Sequence, residues 1–270
     1  MNSFNEKNIQ LHYNQFAGIY NTLPSDEFFQ RILGLGLDEK SEVLDIGCAS
    51  GKLVFQIAEK FNCEKIVGID ISEVEIEIAN KTRNEKGLTN CSFYTGNALN
   101  LPFEDAEFDF VISNRVFQLI NEMEAAFKEA DRVLKPGGQL FILLVTSDKD
   151  DVMPEYHDLL KTAWKNNITD KPAPKIFNVV SVKDVENMMA NVGVENYKIT
   201  LERYSFKSPR ERAEAGLPVY NILGGYWKQG IDPEIVRKID NEMKELLNEQ
   251  CDKFGYFKST GHFLILTYKK

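Results

Sequence analysis

The chain has 270 residues, 43% of them hydrophobic, and a formal net charge of −9. This composition predicts a globular protein with a sizeable core, and the negative charge argues against nucleic acid as its main partner, because phosphate backbones repel it. Four cysteines without a Cys-x-x-Cys pair and three widely separated histidines indicate neither a disulfide scaffold nor a metal site. The polar amino terminus and the lack of a long apolar run predict a cytoplasmic protein without a membrane anchor.

Short apolar runs alternate with helical stripes through the first half of the chain. Residues 7–36 are predicted to form two helices, the second capped by Ser25 and ended by the glycines at 34 and 36. The apolar runs predict strands at 42–46, 65–70, 91–96, 108–113 and 139–146. Such a β-α alternation implies a parallel sheet with helices on both faces.

Two local sequence patterns predict where a helix begins and where another ends between these strands. Residues 74–78 alternate like a strand, but Ser72 and Glu75 form a capping box, so we expect a helix there. The Lys-Pro-Gly-Gly run at 135–138 is expected to end a helix that carries an apolar face from Met123 to Val133.

The second half of the chain has a different pattern. Helices are predicted at 152–166, from Ser181 to Gly193, from Ser208 and from 232 to about 252, with strands at about 195–205 and 262–268. Residues 206–260 therefore read as a helical insertion before the last strand, and an insertion of that length is often a lid. We expect one domain over 1–270, made of an amino-terminal helical cap (1–36), a cofactor-binding core (37–150) and this lid.

A glycine loop follows the first predicted strand. Asp45, Gly47 and Gly51 lie where a buried strand turns into a helix, and Asp70 ends the next strand. Glycines let backbone approach a ligand closely, the helix start offers free N–H groups, and a carboxylate can accept two hydrogen bonds from a ribose diol. Ala49 breaks the dinucleotide pattern G-x-G-x-x-G, and the spacing to Lys52 is one residue short of a P-loop.

This loop and three later segments resemble the class I S-adenosylmethionine-dependent methyltransferases, within the methyltransferase type 11 and ubiquinone-menaquinone methyltransferase-like superfamily. The resemblance covers residues 40–146. It rests on the run Asp-Ile-Gly-Cys-Ala-Ser-Gly at 45–51, on Asp70, on the run Gly-Asn-Ala-Leu-Asn-Leu-Pro-Phe at 96–103, and on the segments 108–114 and 132–138. It implies a doubly wound, Rossmann-like sheet of seven strands with the last one antiparallel. Ala49 and Asn97 depart from the family's usual glycine and aspartate.

The resemblance also implies which residues bind S-adenosylmethionine and its product S-adenosylhomocysteine. Asp45 and the loop 47–51 would hold the methionine part, Asp70 the ribose, and Ile71 would pack on the adenine. The full expected set is Tyr20, Asp45, Gly47, Cys48, Ala49, Gly51, Asp70, Ile71, Asn97, Ala98 and Asn114. Cys48 is read as a packing residue rather than a nucleophile.

The acceptor side is less patterned, and no catalytic residue is identified. Asn114, Arg115 and Tyr20 are the acceptor-side candidates, although Asn114 could instead cap the next helix and Arg115 could be solvated. Tyr220, Tyr226 and Trp227, around the glycines at 224–225, would either wall a substrate pocket or form the core of a small helical subdomain.

The expected activity is methyl transfer to a small metabolite or a carrier-bound acyl group. The Ser-Asn-x-x-Phe-Gln run at 113–118 is similar to that of carboxyl O-methyltransferases. A quinone-type C-methyltransferase and a non-catalytic S-adenosylmethionine-binding module stay open as alternatives. Ala49 and Lys52 disfavour an NAD-dependent dehydrogenase.

Overall fold

The structure is a computed structural model that describes residues 10, 13, 14, 17, 26–146, 148, 154–168, 171–173, 179–223, 228 and 231–270. The helices are α1 (Asp26–Ile32), α2 (Lys52–Phe61), α3 (Glu73–Lys86), α4 (Met123–Val133), α5 (Pro154–Asn167), α6 (Val182–Asn191), α7 (Arg210–Leu223) and α8 (Pro233–Phe254). The strands are β1 (Glu42–Ile46), β2 (Lys65–Asp70), β3 (Cys91–Thr95), β4 (Phe108–Asn114), β5 (Leu134–Val145), β6 (Tyr197–Ser208) and β7 (Phe257–Lys269).

Seven strands form one sheet in the order β3-β2-β1-β4-β5-β7-β6. The first five are parallel, with β1 between β2 and β4 in the middle of the sheet. The last pairing is antiparallel: the Gly138 carbonyl accepts from the Lys270 amide and the His262 carbonyl from the Thr146 amide, so β7 runs against β5. This confirms the predicted doubly wound sheet and places the carboxyl ends of β1, β2 and β4 at one edge.

Polar caps fix the helix starts where the sequence predicts them. The Ser72 hydroxyl accepts from the Glu75 amide at 3.2 Å and begins α3, so the alternating stretch 74–78 is helical. Ser181 and Asp184 form a reciprocal capping box at the start of α6. Asp232 caps α8 in front of Pro233. Each cap satisfies amide groups that a helix start leaves without intrahelical partners.

Strand β5 begins five residues earlier than predicted. The Lys-Pro-Gly-Gly run does end α4, but it is already part of β5, because Leu134 pairs with Phe108 of β4 and, further along, the Gly137 amide donates to the Lys270 carbonyl at 2.8 Å and the Gly138 carbonyl accepts in return. Neither partner is apparent from the local sequence: Phe108 lies 26 residues before Leu134, and Lys270 lies 132 residues after Gly138.

Contacts between Cα atoms divide the chain into two compact units. The first unit is Met1–Leu144, Val180–Leu201 and Leu264–Lys270. Its core joins the central strands to α4 and α6, with fully buried side chains such as Leu44, Phe108, Phe127 and Val185. The edge of this unit at the carboxyl ends of β1, β2 and β4 carries most of the predicted site residues.

The second unit is Val145–Val179 and Glu202–Phe263. Its apolar cluster joins Leu160 and Trp164 of α5 to Met243 and Leu247 of α8, next to Phe257. The predicted insertion 206–260 therefore shares a core with the helix that follows β5. In the part of the chain that the structure describes, no helix combines the length and apolarity that a membrane span requires.

Candidate functional site

The glycine loop between β1 and α2 has three left-handed residues in five. The φ angles are +77° at Gly47, +47° at Ala49 and +86° at Gly51. The loop is held against β2, since the amides of Gly47 and Cys48 both donate to the Ile69 carbonyl, at 2.7 and 3.1 Å. Left-handed backbone suits glycine and costs a residue with a Cβ, which explains the strain at Ala49 and the usual glycine at that position.

A Cβ atom at Gly47 or at Gly51 would clash with neighbouring side chains. At Gly47 a Cβ would lie 2.9 Å from both Cβ and Cγ1 of Val116, and still closer to Cγ2. At Gly51 it would lie 2.7 Å from the ring of Phe93. The loop after β4, which contains Val116, therefore packs directly on the glycine loop after β1.

Asp70 connects the loop after β1 to the end of β2 through hydrogen bonds. One carboxylate oxygen accepts from the Ala49 amide and the other from the Ser72 amide, both at 2.9 Å. Its side chain is 9% exposed. Burial raises the pKa of Asp70, and the amides of Ser72, Ala49 and Ile71 partly oppose that rise. The sequence predicts Asp70 as a ligand-binding acid, and the structure adds that it clamps the glycine loop.

Asp45 is a second buried carboxyl group beside Asp70. It is 2% exposed, and its Oδ1 has no hydrogen-bond partner among the described residues. Burial, and then the charge of Asp70, raise the pKa of Asp45 to about 8. A nearby cation would relieve this cost, because it favours the charged carboxylate.

Cys48 belongs to the same glycine loop and is 6% exposed. Its thiol donates to the Ala49 carbonyl at 3.3 Å. Burial and the charges of Asp70 and Asp45 raise the pKa of Cys48 well above its ordinary value, so the group is a thiol and not a nucleophilic thiolate. The geometry agrees with its interpretation as a packing residue.

The loop after β3 contains Asn97 and Ala98. The side-chain oxygen of Asn97 accepts from the Leu99 amide at 2.9 Å, which closes a tight turn, and Ala98 packs against the apolar core. Arg132 of α4 anchors the far end of this loop, since its guanidinium donates to the carbonyls of Leu101 and Phe103 at 2.9 and 2.8 Å. Sequence reasoning finds the Arg132 segment as a motif but misses this anchoring role.

Asn114 and Arg115 end β4 at the same edge. Arg115 has a φ of +62°, its amide donates to the Leu143 carbonyl at 2.7 Å, and its Nε donates to the Asn114 side-chain oxygen at 3.2 Å. The short 3₁₀ helix at Phe117–Leu119 has Val116 at its N-cap and no side-chain cap, so Asn114 does not cap it. A strained residue at the end of a central strand is typical of functional loops.

Ile71 follows Asp70 and is half-buried. Its carbonyl accepts from the side chain of Gln10 at 3.0 Å, and the Ser72 hydroxyl donates to the Asn14 side chain at 2.6 Å. The amino-terminal segment thus contacts the end of β2 through two amide side chains that the sequence analysis does not single out. Tyr20 and residues 224–227 lie outside the described residues, and only the backbone of Tyr220 is described, within α7.

In the described ranges, no group of three or more His, Cys, Asp or Glu side chains is placed to hold a metal ion.

One edge of the sheet brings together Asp45, the loop 47–51, Asp70, Ile71 and the end of β4. Open α/β sheets bind their ligands in the crevice at this edge.

Comparison with known proteins identifies the family to which this chain belongs. The family model described as "Methyltransferase domain" matches residues 37–198, more than half of the chain. The demethylmenaquinone methyltransferase of Lactococcus lactis is 29% identical over 175 residues, which cover 62% of this chain and 68% of that protein. The sterol 4-C-methyltransferase strm-1 of Caenorhabditis elegans is 33% identical over 129 residues, 47% of this chain and only 38% of that protein.

Among solved structures, the YcgJ protein of Bacillus subtilis superposes with a TM-score of 0.57 at 17% identity, over 89% of this chain and 96% of that chain. At this identity the likeness supports the fold alone. Together with the four motifs in the first unit, the family match is decisive. The chain belongs to the methyltransferase-domain family and is an S-adenosylmethionine-dependent methyltransferase of class I.

Proposed function

We propose that the edge built by Asp45, the loop 47–51 and Asp70 binds S-adenosylmethionine, and that the chain methylates a small-molecule acceptor. The observation that carries this proposal is the pair of buried carboxyl groups beside a left-handed loop, with one oxygen of Asp45 unpartnered among the described residues. When bound, S-adenosylmethionine supplies a methyl group already activated by its sulfonium.

The residues present fit this cofactor. Asp45 is a buried acid whose charged form needs a neighbouring cation, and the methionine part of the cofactor carries an ammonium group. Both oxygens of Asp70 accept from backbone amides, and a carboxylate has about four acceptor positions, so acceptor capacity remains for the ribose diol after the amides of Ala49, Ser72 and Ile71. Asn97 holds the turn that would line the adenine edge.

We assign to the protein mainly the positioning of the reacting groups. Alignment of a methyl donor with a nucleophile can supply roughly 7–11 kcal/mol of barrier lowering without a catalytic side chain. In this proposal Arg115 and the loop that contains Val116 line the side of the glycine loop on which the methyl acceptor binds. Residues 1–36 act as the cap, as the contacts of Gln10 and Asn14 with the end of β2 suggest.

Two acceptor classes have specific support. A quinone-type ring carbon is favoured by the relatives, one named for demethylmenaquinone and one for a sterol carbon. A carboxylate on a small metabolite or carrier-bound acyl group is favoured by the guanidinium of Arg115 at the edge of β4 and by the 113–118 run. A cytoplasmic location is part of the proposal, and the four buried cysteines in the thiol form agree with a reducing compartment.

The test has two steps with purified full-length protein. Calorimetry with S-adenosylhomocysteine first measures cofactor-site binding. Methyl transfer from labelled S-adenosylmethionine is then followed on 1,4-naphthohydroquinone and on medium-chain carboxylic acids. Labelled product from either class supports the enzyme and selects the acceptor. Binding without product from a broad panel would instead support a non-catalytic binding module.

A further inference from the structure

Arg132, near the end of α4, uses every hydrogen-bond donor of its side chain. A guanidinium has five N–H groups in a fixed fork. Two of them donate to the Glu129 carboxylate, both at 2.8 Å. Two donate to the carbonyls of Leu101 and Phe103, at 2.9 and 2.8 Å, and the fifth donates to the Asp105 carboxylate at 2.9 Å. One side chain of the helix therefore binds three residues of the segment after β3.

Glu129, one turn earlier on α4, binds the same segment. Its Oε2 accepts from the Leu101 amide at 2.8 Å, so Glu129 and Arg132 together bind both polar backbone groups of Leu101. The hydrogen bond from Arg132 lowers the pKa of the Glu129 carboxyl, which is therefore charged at neutral pH. Hydrogen bonds between charged groups are about twice as strong as neutral ones. The Leu101 side chain is 2% exposed and lies in the core, so this residue is fixed on all sides.

The turn at 97–100 lies directly before this anchor. Its other end is tied to β2, because the Gly96 amide donates to the Asp70 carbonyl at 2.9 Å. Within the turn, the Leu99 amide donates to the Asn97 side chain at 2.9 Å. The shape of the turn thus depends on one anchor at the end of β2 and on a second anchor that α4 provides.

We propose that Arg132 and Glu129 are positioning residues for S-adenosylmethionine, and that they act by holding the turn at 97–100 in its binding geometry before the cofactor arrives. A loop that is ordered in advance loses less conformational freedom on binding, so the ligand binds more tightly. The inference rests on the proposed function, in which this turn lines the adenine edge. It deepens that function because it assigns part of the cofactor affinity to side chains of α4.

The experiment measures S-adenosylhomocysteine binding by calorimetry with full-length protein, at a temperature where circular dichroism shows each variant to be folded. Arg132→Met removes all the donors, and Arg132→Lys keeps the charge but not the fork that reaches both carbonyls. We expect both variants to bind the ligand about tenfold more weakly than wild type. Asp105→Asn is the matched control and should bind as wild type does, because the Asp105 side chain is 79% exposed and such an ion pair contributes little.

Hydrogen exchange followed by mass spectrometry separates positioning from general stability. In the absence of ligand, peptides that cover residues 96–103 should exchange faster in Arg132→Met than in wild type. Peptides from β1 and β2 should exchange at the wild-type rate. A purely structural role would instead speed exchange in the central strands as well, and it would leave the affinity of the folded protein unchanged.

Wild-type affinity in both Arg132 variants would overturn the inference. Unchanged exchange at 96–103 in Arg132→Met, or an equal loss of affinity in Asp105→Asn, would also overturn it. Failure of wild type itself to bind S-adenosylhomocysteine would overturn the proposed function together with the inference, so the two failures are distinguishable.

Discussion

Gly47 is the position where the glycine loop and the β4 loop exclude a side chain most strictly. In Gly47→Ala the new Cβ stands in left-handed backbone, at φ +77°, and overlaps all three side-chain carbons of Val116. The backbone strain costs about 1–2 kcal/mol and the overpacking about 1–3 kcal/mol. We therefore expect Gly47→Ala to lower the free energy of unfolding by about 2–5 kcal/mol, measured by urea titration followed by circular dichroism.

Gly87→Ala separates the two contributions. Gly87 also has a positive φ, +66°, but a Cβ there meets nothing within 4 Å, so only the backbone strain of about 1–2 kcal/mol applies. Val116→Ala removes two of the three overlapping carbons, and the double variant Gly47→Ala/Val116→Ala should show a favourable coupling of about 1–3 kcal/mol. Equal costs at Gly47 and Gly87, with no coupling to Val116, would refute the packing of these two loops.

Three other predictions concern Asp45, Asp70 and the turn at Asn97. The pKa of Asp45 is higher in the folded chain, about 8, than its ordinary value of 3.8, so the folded state keeps a proton that the unfolded state loses; stability should fall by up to about 1.4 kcal/mol per pH unit between about pH 4 and 8. Asp45→Asn should flatten that slope by one proton in pH-dependent urea titrations, and an unchanged slope would contradict the burial argument. Asp70→Asn should weaken S-adenosylhomocysteine binding about 10- to 100-fold, because it removes charge-assisted hydrogen bonds; calorimetry measures this, and wild-type affinity would show that Asp70 only clamps the loop. Asn97→Ala should weaken the same binding, whereas Asn97→Asp, which keeps the oxygen that accepts from Leu99, should not; equal effects would argue against the turn.

The central strands and helix caps could be predicted from sequence because their signals are local. Strands β1 and β2 have the predicted bounds, and Ser72 caps α3 through a residue three positions away. Strand β5 starts earlier than predicted, since its early residues pair with Phe108 of β4 and with Lys270. No local pattern records that pairing.

The candidate site divides in the same way. Asp45, Gly47 and Gly51 lie together because they are close in sequence, and the parallel sheet brings Asp70 to them. Gln10 contacts this edge 61 residues away in sequence, at Ile71, and Val116 contacts it 69 residues away, at Gly47, so the sequence alone does not reveal these contacts. The sequence shows Ala49 where the family usually has glycine. The left-handed φ of Ala49 shows that this replacement costs backbone strain.

Cofactor binding at the sheet edge with Asp45 and Asp70 is the basis of the proposed function. Calorimetric titration of wild type, Asp70→Asn and the surface control Glu85→Gln with S-adenosylhomocysteine tests it most directly. We expect one-site binding by wild type and Glu85→Gln and a clear loss of affinity in Asp70→Asn. An absence of heat with wild-type protein, confirmed by unchanged thermal stability at saturating ligand, would contradict it.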